Sequence, residues 1–263
     1  MNGRQNKRWA GVCAFIVFLL AGAAGAEEKP LKPGEPDFIK RAMTKLDDAY
    51  RGNKSRGEMT MTVQTKHWKR QMSIDSWSLG KDYSLMRILK PLKEKGTATL
   101  KAKNDLYIYL NKTERTIKIT SGMMGSSWMG SHFTNDDLVH HTRLSVDFYV
   151  NYDGEQENAG EKVWKFTLKP HPDAPVVWGK IEITLRAKDA EPLSQLFFDE
   201  DNKPVRVLEF SEHKKVGDRV VPFKMLMKPL DGSGEYTEIK IESIDFGVSL
   251  GEDFFSLQKL KSL

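Results

Sequence analysis

Cysteine is almost missing from this chain: Cys13 is the only one in 263 residues, and it lies in an N-terminal apolar run. Without that run the protein has no thiol, which excludes disulfides, thiol chemistry and metal ligation through sulfur. Long hydrophobic runs are scarce too. Beyond the N-terminal stretch, no segment approaches the roughly 20 apolar residues of a membrane-spanning helix. Charge of a single sign is also lacking. The 41 Lys and Arg are interspersed with 36 Asp and Glu, with no one-sided basic stripe, so no nucleic acid partner is expected. Catalytic signatures are absent as well: there is no G-x-S-x-G, Walker loop, H-E-x-x-H or dinucleotide fingerprint after a strand. No residue is nominated as catalytic, no metal ligand or cofactor is assigned, and no enzymatic activity is expected.

The first 26 residues read as a secretory signal. Arg4, Lys7 and Arg8 form a positive start, Trp9 to Leu20 an apolar run, and Ala24-Gly25-Ala26 a small-residue cleavage pattern. An uncut anchor is the alternative, and the small residues after the run count against it. Cys13 sits inside the apolar run rather than at the cleavage point, so the mature protein is not expected to be lipid-anchored. Cleavage would also lower the formal charge of +5 by three.

Residues 27–36, with three prolines and five charges, read as a disordered lead-in. Residues 37–263 read as a single domain. Asp37 is expected to cap a helix whose greasy face carries Phe38, Ala42, Leu46 and Ala49. After Gly52-Asn53 the period changes to two. Met59, Met61 and Val63 share one side of a strand, and Met72 and Ile74 one side of the next. Trp77 and Leu79 resume out of phase, which predicts a bulge near Asp75-Ser76. About ten to eleven short strands separated by turn signals make the chain mainly β, an antiparallel sheet or meander. Tyr149 to Gly160 is polar and reads as a loop. Thr134 is expected to cap a short helix through His141, with Asp136 and Asp137 in its first turn.

Several strands are greasy on both sides. Leu106, Ile108 and Leu110 alternate with Tyr107 and Tyr109, and Trp178 opposes Ile181 and Ile183. A curved sheet fits this pattern, with a core on one side and helices or a ligand cavity on the other; a single large core is the plainer reading. Methionine recurs at Met59, Met61, Met72, Met86, Met225 and Met227, and again in the loop SGMMGSSWMGS with Met123, Met124, Trp128 and Met129. Flexible thioethers suit apolar shapes that vary, although they also serve as simple gap-fillers. The densest polar cluster is His132, Asp136, Asp137, His140 and His141. A divalent metal could use such groups, but helix capping accounts for the aspartates.

Three stretches resemble a known family: GTATL at Gly96–Leu100, LYIYL at Leu106–Leu110 and MGSHFTNDDL at Met129–Leu138. The core Gly130, Ser131, Phe133, Thr134, Asp137 and Leu138 is the most specific part. Together they look like the LolA-like outer-membrane lipoprotein-sorting proteins, in the broad branch rather than the dedicated lipoprotein chaperone. That resemblance implies an unclosed, strongly curved antiparallel β half-barrel whose concave apolar face is covered by a few helices and accepts acyl chains. It implies a monomeric periplasmic carrier that binds a lipid or lipoprotein and helps sort it toward the outer membrane. A sensor or accessory subunit of an RND- or ABC-type inner-membrane exporter is the alternative. The cavity is then expected to use Met59, Met61, Val63, Trp77, Leu79, Tyr107, Tyr109, Met225 and Met227, with Met123, Met124, Trp128 and Met129 at its lid or mouth. The motif residues are expected to be structural: Gly130 turning the chain, Thr134 capping, Phe133 and Leu138 packing.

Overall fold

Thirteen strands form one antiparallel sheet in the computed structural model, which describes residues 30–49, 52–140, 144–174 and 176–262. The signal segment and Cys13 lie outside the described residues. From Leu31 onward the chain is one compact unit. In chain order the strands are β1 (Lys54–Gln64), β2 (Lys69–Leu79), β3 (Tyr83–Lys90), β4 (Ala98–Ala102), β5 (Asp105–Leu110), β6 (Arg115–Lys118), β7 (Phe148–Asn158), β8 (Glu161–Pro170), β9 (Lys180–Arg186), β10 (Pro192–Phe198), β11 (Pro204–Val216), β12 (Arg219–Pro229) and β13 (Tyr236–Asp245). In space they run β6-β5-β4-β3-β2-β1-β13-β12-β11-β10-β9-β8-β7. Each strand therefore lies beside its sequence neighbour, with two exceptions: β1 pairs β13 at the centre, and β6 and β7 stay apart as the two free edges. The sheet is curved but not closed into a barrel.

Helix α1 (Phe38–Asp48) lies on the concave face with Phe38, Ala42, Met43 and Leu46 buried. Phe38 sets the position: its ring meets Tyr152 and Trp164 edge-on at 5.1 and 4.9 Å and stacks on Phe166. The other end of the helix is tied by Asp47, which accepts from Lys81 Nζ at 2.7 Å. Asp37 makes no side-chain cap; its carboxylate lies instead 3.9 Å from Arg41. Between β6 and β7 the chain crosses the concave side through two 3₁₀ turns, α2 (Asn135–His140) and α3 (Leu144–Asp147). Helix α4 (Leu257–Ser262) lies on the opposite face, so the helices do not all cover the concavity.

This arrangement explains β5, which is greasy on both sides; Trp178, expected to oppose Ile181 and Ile183, instead precedes β9 and packs with them in one core. On the concave side one large core joins Met61, Val63, Met72, Ile74, Phe166, Ile183, Leu208 and Met227 to α1 and the crossing segment. On the convex side Trp77, Leu85, Ala98, Leu100 and Tyr109 pack under Phe255 and Leu260. The phase change at Trp77 is therefore not a bulge at Asp75-Ser76, since β1 and β2 pair without interruption there. Buried positions simply change face where the convex cover begins. Residues 149–160 are likewise not a loop. Most of them form β7, an edge strand that is polar because its far half faces solvent on both sides and only its backbone is paired, with β8.

The convex cluster depends on a chain end with few other contacts. Phe255→Ala is expected to cost about 3–5 kcal/mol, the usual range for emptying a buried Phe site, read by urea denaturation followed through tryptophan fluorescence.

Candidate functional site

The site is built where the crossing segment meets the middle of the sheet. The segment turns sharply at Met129 and Gly130, both with positive φ (54° and 68°), and a glycine at the second position spares the chain one of two strained residues. Arg70 donates to the Met129 carbonyl and pairs with Glu94 at 3.1 Å. Trp128 turns inward, and its indole N–H donates to Thr99 Oγ1 at 3.1 Å. Ser131 Oγ donates to the Trp128 carbonyl at 2.7 Å and so closes the turn.

At the start of α2, the Thr134 N–H and hydroxyl both donate to Asp137 Oδ2, at 2.7 and 3.0 Å, and the Asp137 N–H donates back to Thr134 Oγ1. This is a capping box with Asp in place of Glu. The same carboxylate reaches β11: Arg206 donates from Nη1 to Oδ2 at 2.9 Å and from Nη2 to Oδ1 at 2.5 Å. Arg206 also donates to the His132 carbonyl, and its guanidinium lies over the rings of Trp178 and Phe197 at 4.1 and 4.5 Å. Both charges are buried, with side chains 7% and 4% exposed, and the fork geometry allows the helix one seat on the sheet. At its other end, α2 is tied by the buried Lys101, which donates to the Val139 and Lys81 carbonyls.

Under this clamp lies a cleft of about 140 Å³, roughly ten times the room that one water needs on the same measure. Its walls are Met59, Met61, Ile74, Met86, Leu208, Met225, Ile239 and Ile241 from the sheet, and Trp128, Phe133 and Leu138 from the crossing segment. Asp137 borders it with its charge already met by Arg206. At one end the lining changes to Ser55, Gly57, Ser76, Ser78, Ser84 and Ser243. A side chain at Gly57 would strike the Ser243 carbonyl at 2.8 Å, so glycine lets β1 and β13 meet closely beside a register shift.

Of the residues singled out in the sequence, Met59, Met61, Met225 and Trp128 line this cleft, as do Phe133, Asp137 and Leu138 of the motif. Trp77 borders it, but its ring packs on the convex side against Phe254 at 5.7 Å. Val63 and Met227 are sealed in the concave core away from the cleft. Leu79, Tyr107 and Tyr109 belong to the convex cluster under the C-terminal segment. Met129 packs on the concave core, Met124 on the small cluster of Leu106, Ile119 and Val139, and Met123 is exposed. The serine end was not anticipated. The signal was the parity of Ser55 with Met59 and Met61, and of Ser76 and Ser78 with Met72 and Ile74.

The histidine cluster does not converge. His132 Nδ1 pairs with Thr237 Oγ1 at 2.9 Å and Nε2 with Glu235 at 3.2 Å, while Asp137 turns to Arg206. His141 and the side chain of His140 lie outside the described residues. Among the described residues, no three His, Asp or Glu side chains come together to hold a metal ion.

Removing one partner of the buried pair leaves the other charge stranded. Asp137→Ala is expected to cost about 3–5 kcal/mol, and Asp137→Ala with Arg206→Met to recover part of that loss; a double-mutant cycle in urea measures both. A second expectation concerns acid. Glu235 is held below the usual carboxylate range by the Lys66 backbone N–H and then by His132. Its ionised form therefore stabilises the fold above the ordinary Glu range, and that contribution is lost as pH falls through the lowered folded value. Glu235→Gln should melt below the parent at neutral pH, with the gap closing in acid, as followed by thermal melts across a pH series.

Residues 80–262 match a family model described as "-like: Uncharacterized protein". No curated protein matches the sequence. Three solved structures share the fold. A domain designated an outer membrane lipoprotein-sorting protein, from Vibrio parahaemolyticus, superposes with a TM-score of 0.73 at 21% identity over 85% of this chain and 96% of its own. A DUF1329 family protein from Desulfovibrio piger gives 0.76 at 19% identity over 84% and 96%. A LolA superfamily protein from Nitrosomonas europaea gives 0.71 at 14% identity over 84% and 98%. The chain therefore belongs to the family described as "-like: Uncharacterized protein", and its fold is that of the LolA-like proteins.

Proposed function

We propose that the protein is a non-enzymatic carrier that holds the acyl part of a lipid or lipoprotein in the concave cleft. The observation that carries this reading is the cleft itself, an apolar space walled by methionine, isoleucine and aromatic side chains between the sheet and the crossing segment. Thioether and isoleucine walls suit flexible hydrocarbon. The gap between β6 and β7 supports the same reading, because the cover over the cleft is a tethered segment rather than a paired strand. So do the relatives in fold, one a lipoprotein-sorting domain and one a LolA superfamily protein.

The finer reading is that the N-terminal signal sends the chain to the periplasm, where it works as a soluble monomer without a lipid anchor and sorts its cargo toward the outer membrane. An inner-membrane exporter of the RND or ABC type is the proposed partner. Among the described residues no helix is long and apolar enough to cross a membrane.

Met86 is half-buried, lines the cleft and comes from a strand well tied on both sides. Met86→Trp should fill the space and weaken binding of an uncharged acyl or naphthyl fluorophore at least tenfold, while the melting temperature changes by a few degrees. Tyr107→Ser, on the convex side, should leave binding unchanged. Lipid extraction of the natively purified protein followed by mass spectrometry is the direct test; an empty extract together with no fluorophore binding would sink the proposal.

A further inference from the structure

We infer that the cleft also reads the head of its ligand, through a row of serines, and that the ligand is an amphiphile with an uncharged hydrogen-bonding head. This rests on the carrier reading and deepens it. The strand register arranges the lining in steps. Ser55 faces Ser78, and Ser78 faces Ser84, so three hydroxyls lie in one row across β1, β2 and β3. Two residues further along, Gly57 faces Ser76 and Ser76 faces Met86. Two further again, close to the β1 bulge, Met59 faces Ile74, and then Met61 faces Met72. Polarity thus falls from hydroxyl to hydrocarbon over four rows of one face, a gradient along the strands.

The hydroxyl row is buried: Ser55, Ser78 and Ser84 are 7, 6 and 8% exposed. Ser55 and Ser78 share a hydrogen bond of 2.7 Å, which uses one of their two protons and leaves the other to donate. Ser84 lines the cleft and has no hydrogen-bond partner among the described residues. Its oxygen stays accessible from the cleft, so a ligand atom at this end can meet a hydroxyl that no protein group has claimed. The charge of the head follows from the neighbours. Lys101, next in the row beyond Ser84, is committed to the Val139 and Lys81 carbonyls. Asp137, at the apolar end, is matched by Arg206. Among the described residues no cationic side chain lines the cleft to meet a carboxylate or phosphate, and Glu58, the carboxylate beside Gly57 in the lining, accepts from Ser73 Oγ at 3.2 Å and would repel an anion, so alcohol, ester or amide groups fit this end.

The test uses the whole mature protein and displacement of the uncharged dye 1-N-phenylnaphthylamine by 1-monopalmitoylglycerol or by palmitate. The parent should bind the glyceride several-fold more tightly than palmitate. Ser84→Ala, the near-isosteric Ser84→Cys, and Ser55→Ala with Ser78→Ala should each weaken the glyceride about three- to tenfold, the usual range for lost hydrogen bonds. Each variant should weaken the glyceride at least threefold more than it weakens the dye or palmitate, with Ser84→Cys read beside Ser84→Ala to separate the hydroxyl from the volume. If the lipids bind but the serine variants treat both alike, or the parent prefers palmitate, the head-group inference is overturned and the carrier reading stands. If the parent binds neither lipid nor dye, both fall.

Discussion

Between Lys118 and Phe148 the chain leaves one edge of the sheet and reaches the other, and no continuous backbone ladder holds it on the way. What fixes it is the buried pair of Asp137 and Arg206. The carboxylate caps its own helix and engages a guanidinium on β11, and that guanidinium itself lies over two aromatic rings and donates to the His132 carbonyl. Two apolar side chains could pack as well at this point, but they would permit sliding. A bidentate fork does not. The positions of Phe133 and Leu138 in the cleft wall follow from that contact, while Trp128 is held by Thr99 and the Ser131 turn. His132 on Thr237 and Lys101 on the Val139 carbonyl steady the segment on either side.

The buried charges serve position more than stability. Taking Asp137 and Arg206 out of water is costly, and the Coulombic return roughly offsets that cost. The return is a wall of defined shape on a segment otherwise rich in glycine and serine. The same economy appears at Lys101, whose ammonium is spent on backbone carbonyls of two different elements. In both places a charge placed deep in the molecule joins the mobile-looking composition of the crossing segment to the regular sheet.

Alternation with period two located most strands, and the spacing of Phe38, Ala42 and Leu46 located α1. It could not say which face each parity met, because both faces of β2 to β5 are covered, one by the crossing segment and the other by Phe255 and Leu260. Tyr107 and Tyr109 therefore looked as suitable for a cavity as Leu106 and Ile108. Strand β7 was hidden for the opposite reason: beyond Tyr152 it is polar, because an edge strand needs only its backbone paired on one side and its side chains there can meet water. The serine row escaped notice because serine in a strand ordinarily signals a solvent face. Only the register, placing Ser55, Ser78 and Ser84 side by side beneath a cover, turns three unremarkable residues into one surface.

Thirteen is an odd number, and every neighbouring pair in this sheet is antiparallel. The first and last strands in the order, β6 and β7, therefore run in the same direction. They cannot meet in the alternating pattern used everywhere else, and a connection between strands of like direction has to cross over the sheet rather than turn back on itself. Antiparallel closure is thus excluded by arithmetic, whatever the strength of the pairing. Residues added at the rims could seal it only through a parallel seam, unlike every other pair in the sheet, and an antiparallel seal needs one strand more or fewer. In a hoop left split in this way the chain from Lys118 to Phe148 is the one strap that joins the two rims directly, so its length bounds how far apart they can stand.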